Sequence, residues 1–208
     1  NNSYFGDLSA IIIKNMPFWA DYSSAPSQET ALMSEWETKM EAIINETIHE
    51  NITSLVGVPS WMLVLLNRVL EKTGKENILE VWPNLEVYFH GGVNFNPYRE
   101  QYKKLIPKVD FNYYEIYNAS EGFFAIQDKQ GSKELLLMLD YGIFYEFIPM
   151  SDYTGENSVA IPLSEVKKGE NYAVVISTNG GLWRYLIGDT VKFTSLAPYR
   201  IRITGRTK

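Results

Sequence analysis

Cysteine is missing altogether from the 208 residues, and histidine occurs only twice, as His49 and His90. Disulfide bridging, thiolate nucleophiles and Cys-based zinc sites are thereby excluded, and a histidine-rich metal centre has no ligands to draw on. Positive charge is also scarce: 19 Lys and Arg stand against 25 Asp and Glu, a net charge of -6. A nucleic-acid footprint or a surface for anionic lipid needs a basic excess, so small solutes are the expected partners, not nucleic acid or membrane. No apolar run approaches the ~20 residues of a membrane span, and no signal-peptide pattern opens the chain, which makes a cytoplasmic protein the expectation. In that compartment the Asn51-Ile52-Thr53 sequon carries no information. The chain opens on Asn1 without an initiator Met and closes on Arg206-Thr207-Lys208, as expected of a segment of a longer polypeptide.

What is present is an ordinary folded composition with an aromatic excess: 45% hydrophobic, 14% aromatic and 21% charged. That suffices to bury a substantial core, in one large domain or two small ones. Asp7 is placed to cap a short helix through Ile11-Ile12-Ile13, which Pro17 ends. Phe18, Trp19 and Tyr22 read as core filling, with a pocket wall as the minority alternative. From Ser27, Leu32, Trp36, Met40, Ile43, Ile44 and Ile48 recur at helical spacing and predict one long amphipathic helix. Thr53 to Val58 predicts a short strand, Pro59 to Gly74 a helix, Leu85 to His90 a second strand, Pro97 to Leu105 a helix, and Phe111 to Tyr117 a third strand. Strand and helix in alternation imply an α/β layer with parallel pairing.

Beyond Phe124 the pattern changes. Leu135 to Leu139, Ile143 to Ile148, Tyr172 to Ser177, Thr190 to Thr194 and Arg200 to Ile203 are strand-like, and Thr178-Asn179-Gly180-Gly181 signals a hairpin. This half is expected to be antiparallel, a small barrel or curled sheet. The predicted division is 1–125 for the mixed α/β portion and 126–208 for the antiparallel portion.

Two polar signals interrupt this apolar pattern. Tyr117-Asn118-Ala119-Ser120-Glu121-Gly122 follows a strand; its ring, hydroxyl and carboxylate suit base stacking, a phosphate oxygen and a magnesium ion, or else form a polar turn. Arg184-Tyr185-Leu186-Ile187-Gly188-Asp189 places a carboxylate where it can hold two ribose hydroxyls, or else is a turn aspartate. Gly91-Gly92 after a strand either turns the chain or lets backbone approach a flat ligand.

In this order the signals resemble the adenylate-forming superfamily of acyl-CoA synthetases, peptide-synthetase adenylation domains and luciferases. The Tyr117 to Glu121 stretch resembles its aromatic-x-x-hydroxyl-Glu motif, Arg184 to Asp189 its Arg-to-Gly-Asp motif, Gly91-Gly92 its turn against adenine, and Gly205-Arg206-Thr207-Lys208 its hinge. Val58-Pro59-Ser60-Trp61-Met62, Phe89-His90-Gly91-Gly92-Val93 and Gly181-Leu182-Trp183-Arg184-Tyr185 look most like the Gretchen Hagen acyl-acid amido synthetases, the auxin- and jasmonate-conjugating family and its bacterial relatives.

The resemblance implies part of the large N-terminal domain of such an enzyme. It would use ATP and Mg2+ to adenylate a small carboxylic acid and transfer the acyl group to an amino acid. Tyr117 would stack on adenine beside Gly91 and Gly92, Ser120 would hold an α-phosphate oxygen, Glu121 would bind magnesium, and Asp189 with Arg206 would hold the ribose. Lys208 would mark the hinge, and Val93, Phe123 and Phe124 are candidates for an acyl pocket. Asn118 stands where the superfamily usually has glycine and tolerates a left-handed conformation. No Ser/Thr/Gly-rich phosphate loop precedes this region and the hinge falls at Lys208, so the polypeptide alone is expected to be inactive; cut at a sheet's margin, it is expected to expose strand edges and self-associate. The alternatives are an enzyme of acyl-CoA ligase type and a non-enzymatic aromatic-rich scaffold.

Overall fold

The computed structural model describes residues 8–155 and 157–207. They fall into two compact units divided between Asn112 and Tyr113. Asp7, assigned as a helix cap, lies outside the described residues.

The first unit contains α1 (Leu8–Lys14), α2 (Phe18–Tyr22), α3 (Gln28–Ala31), α4 (Trp36–Thr47), β1 (Ser54–Gly57), α5 (Pro59–Thr73), β2 (Val87–Gly91) and α6 (Arg99–Leu105). β1 and β2 pair in parallel, with Gly57 opposite His90, and α5 is the crossover between them. Proline is harmless in the first turn of α5, where an amide proton would have no intrahelical partner. Gly74 ends the helix in a left-handed conformation at φ 65°. The face of α5 carrying Leu63, Leu66 and Val69 is buried. Three aromatic side chains of this core find backbone acceptors for their polar atoms. Trp82 Nε1 donates to the Thr47 carbonyl at 2.9 Å, Tyr88 to Gly57 at 2.9 Å and Tyr102 to Pro59 at 2.9 Å.

Two expectations fail here. The long helix from Ser27 is broken into α3 and α4, because Ser27 caps α3 and Glu35 caps α4 with its own side chain. The break folds α3 back so that Ser27 and Thr30 both hydrogen-bond the carboxylate of Glu46, near the far end of α4. Helical spacing could not reveal this, since the apolar positions stay in phase across the break. Phe18, Trp19 and Tyr22 are not core: α2 buries no residue, and the three rings are 85%, 65% and 92% exposed.

The second unit is antiparallel throughout. Its strands are β3 (Asn112–Ala119), β4 (Gly122–Ile126), β5 (Leu135–Leu137), β6 (Ile143–Pro149), β7 (Ile161–Pro162), β8 (Asn171–Thr178), β9 (Tyr185–Leu196) and β10 (Tyr199–Arg206). They run β3-β4-β5-β10-β9-β8-β6-β7 across the sheet. β4 and β6 are far apart in that order, yet Phe124 and Tyr145 make an edge contact at 6.5 Å, and Tyr145 points its hydroxyl at the Phe124 carbonyl. The sheet therefore curls around its own core of Tyr117, Phe124, Leu135, Phe147, Tyr172, Ile176, Val191 and Phe193. The expected barrel-like subdomain is present. Its boundary lies thirteen residues or so earlier than the change in composition near 126, because β3 hairpins onto β4 and so belongs to the antiparallel unit. β4 has no counterpart among the predicted strands.

Candidate active site

The β3–β4 hairpin turns sharply. Ala119 pairs with Gly122, which leaves Ser120 and Glu121 as a two-residue tip. Ser120 is exposed and Glu121 half-buried. Tyr117 lies opposite Ala125 and Asn118 opposite Phe123, so β4 carries one extra residue, Phe124, as a bulge. Asn118 sits in extended strand; among the described residues, Arg184 is the non-glycine residue with positive φ, at 47°. Two bonds hold Arg184 there: its amide donates to Ser177 Oγ at 2.9 Å and its guanidinium to Glu146 at 3.0 Å.

A second irregularity presents the aspartate. On the β8 side the register runs from Ala173 opposite Thr190 to Val175 opposite Leu186, so β9 has spare residues around Gly188. Gly188 has φ 89°, which strongly favours glycine. Bulges of this kind re-aim a side chain out of the regular ladder. The one re-aimed is Asp189, only 19% exposed. Its Oδ2 accepts a hydrogen bond from the Tyr117 hydroxyl at 2.9 Å, and its Oδ1 lies 3.2 Å from Nε of Arg206, its register partner on β10. Thr207 closes the arrangement by donating its amide to the Gly188 carbonyl at 2.8 Å. Burial, reinforced by the Asp189 charge, pushes the Tyr117 phenol far above its usual range, so it remains a hydrogen-bond donor.

The two motifs, 72 residues apart at Tyr117 and Asp189, are thus joined by a direct bond. That partnership carried no sequence signal beyond the motifs themselves. It also corrects the stacking role expected of Tyr117. Its ring is 5% exposed, packs 4.9 Å from Phe124 within the barrel core, and offers no open face. Phe124 is fully enclosed in the same core and cannot line an acyl pocket. Phe123, on the opposite side of β4, is half-buried and contacts Tyr141 at 5.9 Å. In the first unit Gly91 ends β2 as a buried residue, Gly92 turns the chain at φ 79°, and Val93 is partly exposed. Lys208, the expected hinge residue, lies outside the described residues.

Among the described residues no three His, Asp or Glu side chains gather as a ready-made metal site. A single carboxylate such as Glu121 still suits magnesium, which commonly takes one or two protein carboxylates and completes its shell with phosphate oxygens and water. No helix among the described residues is long and apolar enough to cross a membrane.

A mixed α/β layer followed by a curled antiparallel sheet is a fold shared with solved enzymes. The chain aligns with the solved structure of the GH3.15 acyl acid amido synthetase at a TM-score of 0.73, covering 95% of this chain and 43% of that one at 15% identity. It also aligns with a 2-hydroxyisobutyryl-CoA ligase at 0.61, covering 83% and 40% at 15% identity. Residues 1–111 match the GH3 family N-terminal domain and residues 136–206 the GH3 family central domain, and the chain belongs to the GH3 family. It is 27% identical over 169 residues to the indole-3-acetic acid-amido synthetase GH3.3 of Arabidopsis thaliana, which spans 76% of this chain and 27% of that protein. A stretch of 50 residues is 44% identical to the jasmonoyl-L-amino acid synthetase JAR4 of Nicotiana attenuata, 24% of this chain and 9% of that protein. The chain therefore spans about a quarter of the length of the indole-3-acetic acid-amido synthetase it matches.

Proposed function

We propose that this chain supplies nucleotide-holding parts of an ATP-dependent acyl-acid amido synthetase, which activates a small carboxylic acid as its adenylate and passes the acyl group to an amino acid. The observation that carries this reading is the Tyr117–Asp189 bond, which brings the two motifs expected to handle one nucleotide into a single arrangement. Asp189 has both oxygens positioned, by Tyr117 and Arg206, and a carboxylate accepts about four hydrogen bonds in all. Its remaining lone pairs can take the two ribose hydroxyls. Arg206 is largely exposed, so its pair with Asp189 is weak and it can swing to the ribose or a phosphate.

Ser120, at the open hairpin tip, donates its hydroxyl to an α-phosphate oxygen, and Glu121 beside it offers the carboxylate for magnesium. When bound, ATP supplies the adenylyl group and magnesium the charge that offsets the departing pyrophosphate. Phe123 is the apolar side chain best placed for an acyl group, since it is neither in the barrel core nor fully covered. A cytoplasmic location fits such substrates.

A thioester-forming enzyme would use the same adenylate; membership of the amido synthetase family favours the amide. Acid-dependent exchange of pyrophosphate into ATP, measured on the complete polypeptide that carries this chain, is the test. Asp189→Asn and Glu121→Gln are each expected to lower exchange at least tenfold, and offering amino acids or coenzyme A as acceptors then identifies the product. Unchanged exchange in both variants would contradict the assignment.

A further inference from the structure

Asp189 faces Arg206 because β10 carries one extra residue. Val191 pairs with Ile203, and the next residue back along β9, Thr190, pairs with Gly205 and not with Thr204; Asp189 then meets Arg206. Thr204 is thus the extra residue of a bulge. In an unbroken ladder the same strands would set Thr204 opposite Thr190 and Gly205 opposite Asp189, and a glycine offers that carboxylate no side-chain partner. The one-residue shift exchanges Gly205 for Arg206, whose Nε lies 3.2 Å from Asp189 Oδ1.

Side chains hold this bulge in place. Thr204 Oγ1 donates to Asn171 Oδ1 on β8 at 2.6 Å and lies 2.9 Å from Thr190 Oγ1 on β9. A hydroxyl has one proton, and that of Thr204 goes to Asn171, so Thr190 is the donor in the second bond. The bulge is thereby tied to β9 beside it and to β8 beyond. Thr190 is buried, and a slip of β10 by one residue would cost its hydroxyl the partner it has here. Gly205 takes φ 154°, which residues with a side chain rarely adopt and which the bulge exploits.

We infer that Thr204 is a positioning residue for the adenylate site: clamped by Thr190 and Asn171, it fixes the register that sets Arg206, and not Gly205, against Asp189. This role rests on the nucleotide reading proposed above. Thr204 itself touches no nucleotide; its effect passes through Arg206 to Asp189.

The test compares wild-type chain with Thr204→Val, which keeps the branched shape and loses the hydroxyl, and with Thr204→Ser as the conservative variant. Cross-strand backbone proton contacts in nuclear magnetic resonance spectra read the register, and calorimetry reads the affinity for a nonhydrolysable acyl-adenylate mimic. Wild type and Thr204→Ser are expected to show Asp189 facing Arg206 and to bind alike. Thr204→Val is expected to lose that contact, with Gly205 moving opposite Asp189, and to bind about fivefold more weakly. In an Arg206→Ala background the same change should weaken binding no further, a non-additivity that general destabilisation would not produce. Thr204→Val with Asp189 still facing Arg206, or with the same loss of affinity whether or not Arg206 is present, overturns the role. A wild-type chain that shows the register but binds no mimic removes the nucleotide reading and leaves Thr204 a setter of register only. Thr190→Val cuts the clamp from the β9 side, and its register and affinity decide the matter if Thr204→Val fails to fold.

Discussion

The bond between Tyr117 and Asp189 has a structural side and a proposed functional one. Burying the Tyr117 ring stabilises the fold by about 2 kcal/mol, and its hydrogen bond to a charged carboxylate adds about 1.5 kcal/mol. Tyr117→Phe keeps the larger contribution, so the barrel is expected to fold with a loss of about 1–2 kcal/mol in chemical denaturation, while binding of an adenylate mimic weakens several-fold because Asp189 is no longer aimed. Wild-type binding in that variant would show that the hydroxyl does not orient the carboxylate. His90 makes a pH prediction. Its folded pKa of about 4 lies below the unfolded value near 6.5, so the unfolded chain takes up the proton first and acid favours unfolding. The His90 contribution is full above pH 6.5 and is lost between pH 6.5 and 4, at up to about 1.4 kcal/mol per pH unit. Denaturation across that range should show a steeper acid dependence for wild type than for His90→Phe. Parallel curves would mean His90 is not protonated on unfolding alone.

Whole elements here depend on local exceptions to regular geometry. The bulge around Gly188 exists to turn Asp189 out of β9. Gly188→Ala forces a side chain into φ 89°, although the added carbon itself would meet nothing nearer than 3.5 Å. The cost is therefore conformational, about 1–2 kcal/mol, and is read as a lower denaturation midpoint. At the other end of the chain, the Glu46 carboxylate fixes α3 through Ser27 and Thr30, and the Thr30 hydroxyl bond holds its pKa below the ordinary range. Glu46→Ala is expected to abolish hydrogen-exchange protection across residues 27–31 while sparing α5. Retained protection would show that α3 is held by packing.

These elements also show what sequence spacing can and cannot disclose. α5 was legible because Pro59, Gly74 and the Leu63-Leu66-Val69 face all signal the same helix. β4 was not, because Gly122 at its start and the bulged Phe124 disturb the period of two, and the break before α4 left no phase change. Of the candidate site, the polar residues were legible in the sequence and their arrangement was not. Ser120, Glu121 and Asp189 stood out as polar residues in apolar surroundings, whereas burial of the Tyr117 ring is a property of the closed barrel.

At the scale of the whole molecule, each unit carries candidate residues of its own. The first presents the Gly91-Gly92 turn at the end of a parallel pair, and the second holds the Ser120-Glu121 tip and the Asp189 bulge. The first unit also leaves Phe18, Trp19 and Tyr22 exposed, with β1 at a sheet edge. Such surfaces favour association. Light scattering of this chain is expected to show mass rising with concentration, and Trp19→Ser with Phe18→Ser to reduce it; a monomer at every concentration would contradict this.

The central claim, that Asp189 as positioned by Tyr117 and Arg206 holds an adenylate, is tested most directly by calorimetric titration of a nonhydrolysable acyl-adenylate mimic into wild type and Asp189→Asn. The account predicts saturable binding by the wild type at one site and at least tenfold weaker binding by the variant, with both proteins equally folded by circular dichroism. Equal affinity in the two, or no binding by a folded wild type, would contradict it.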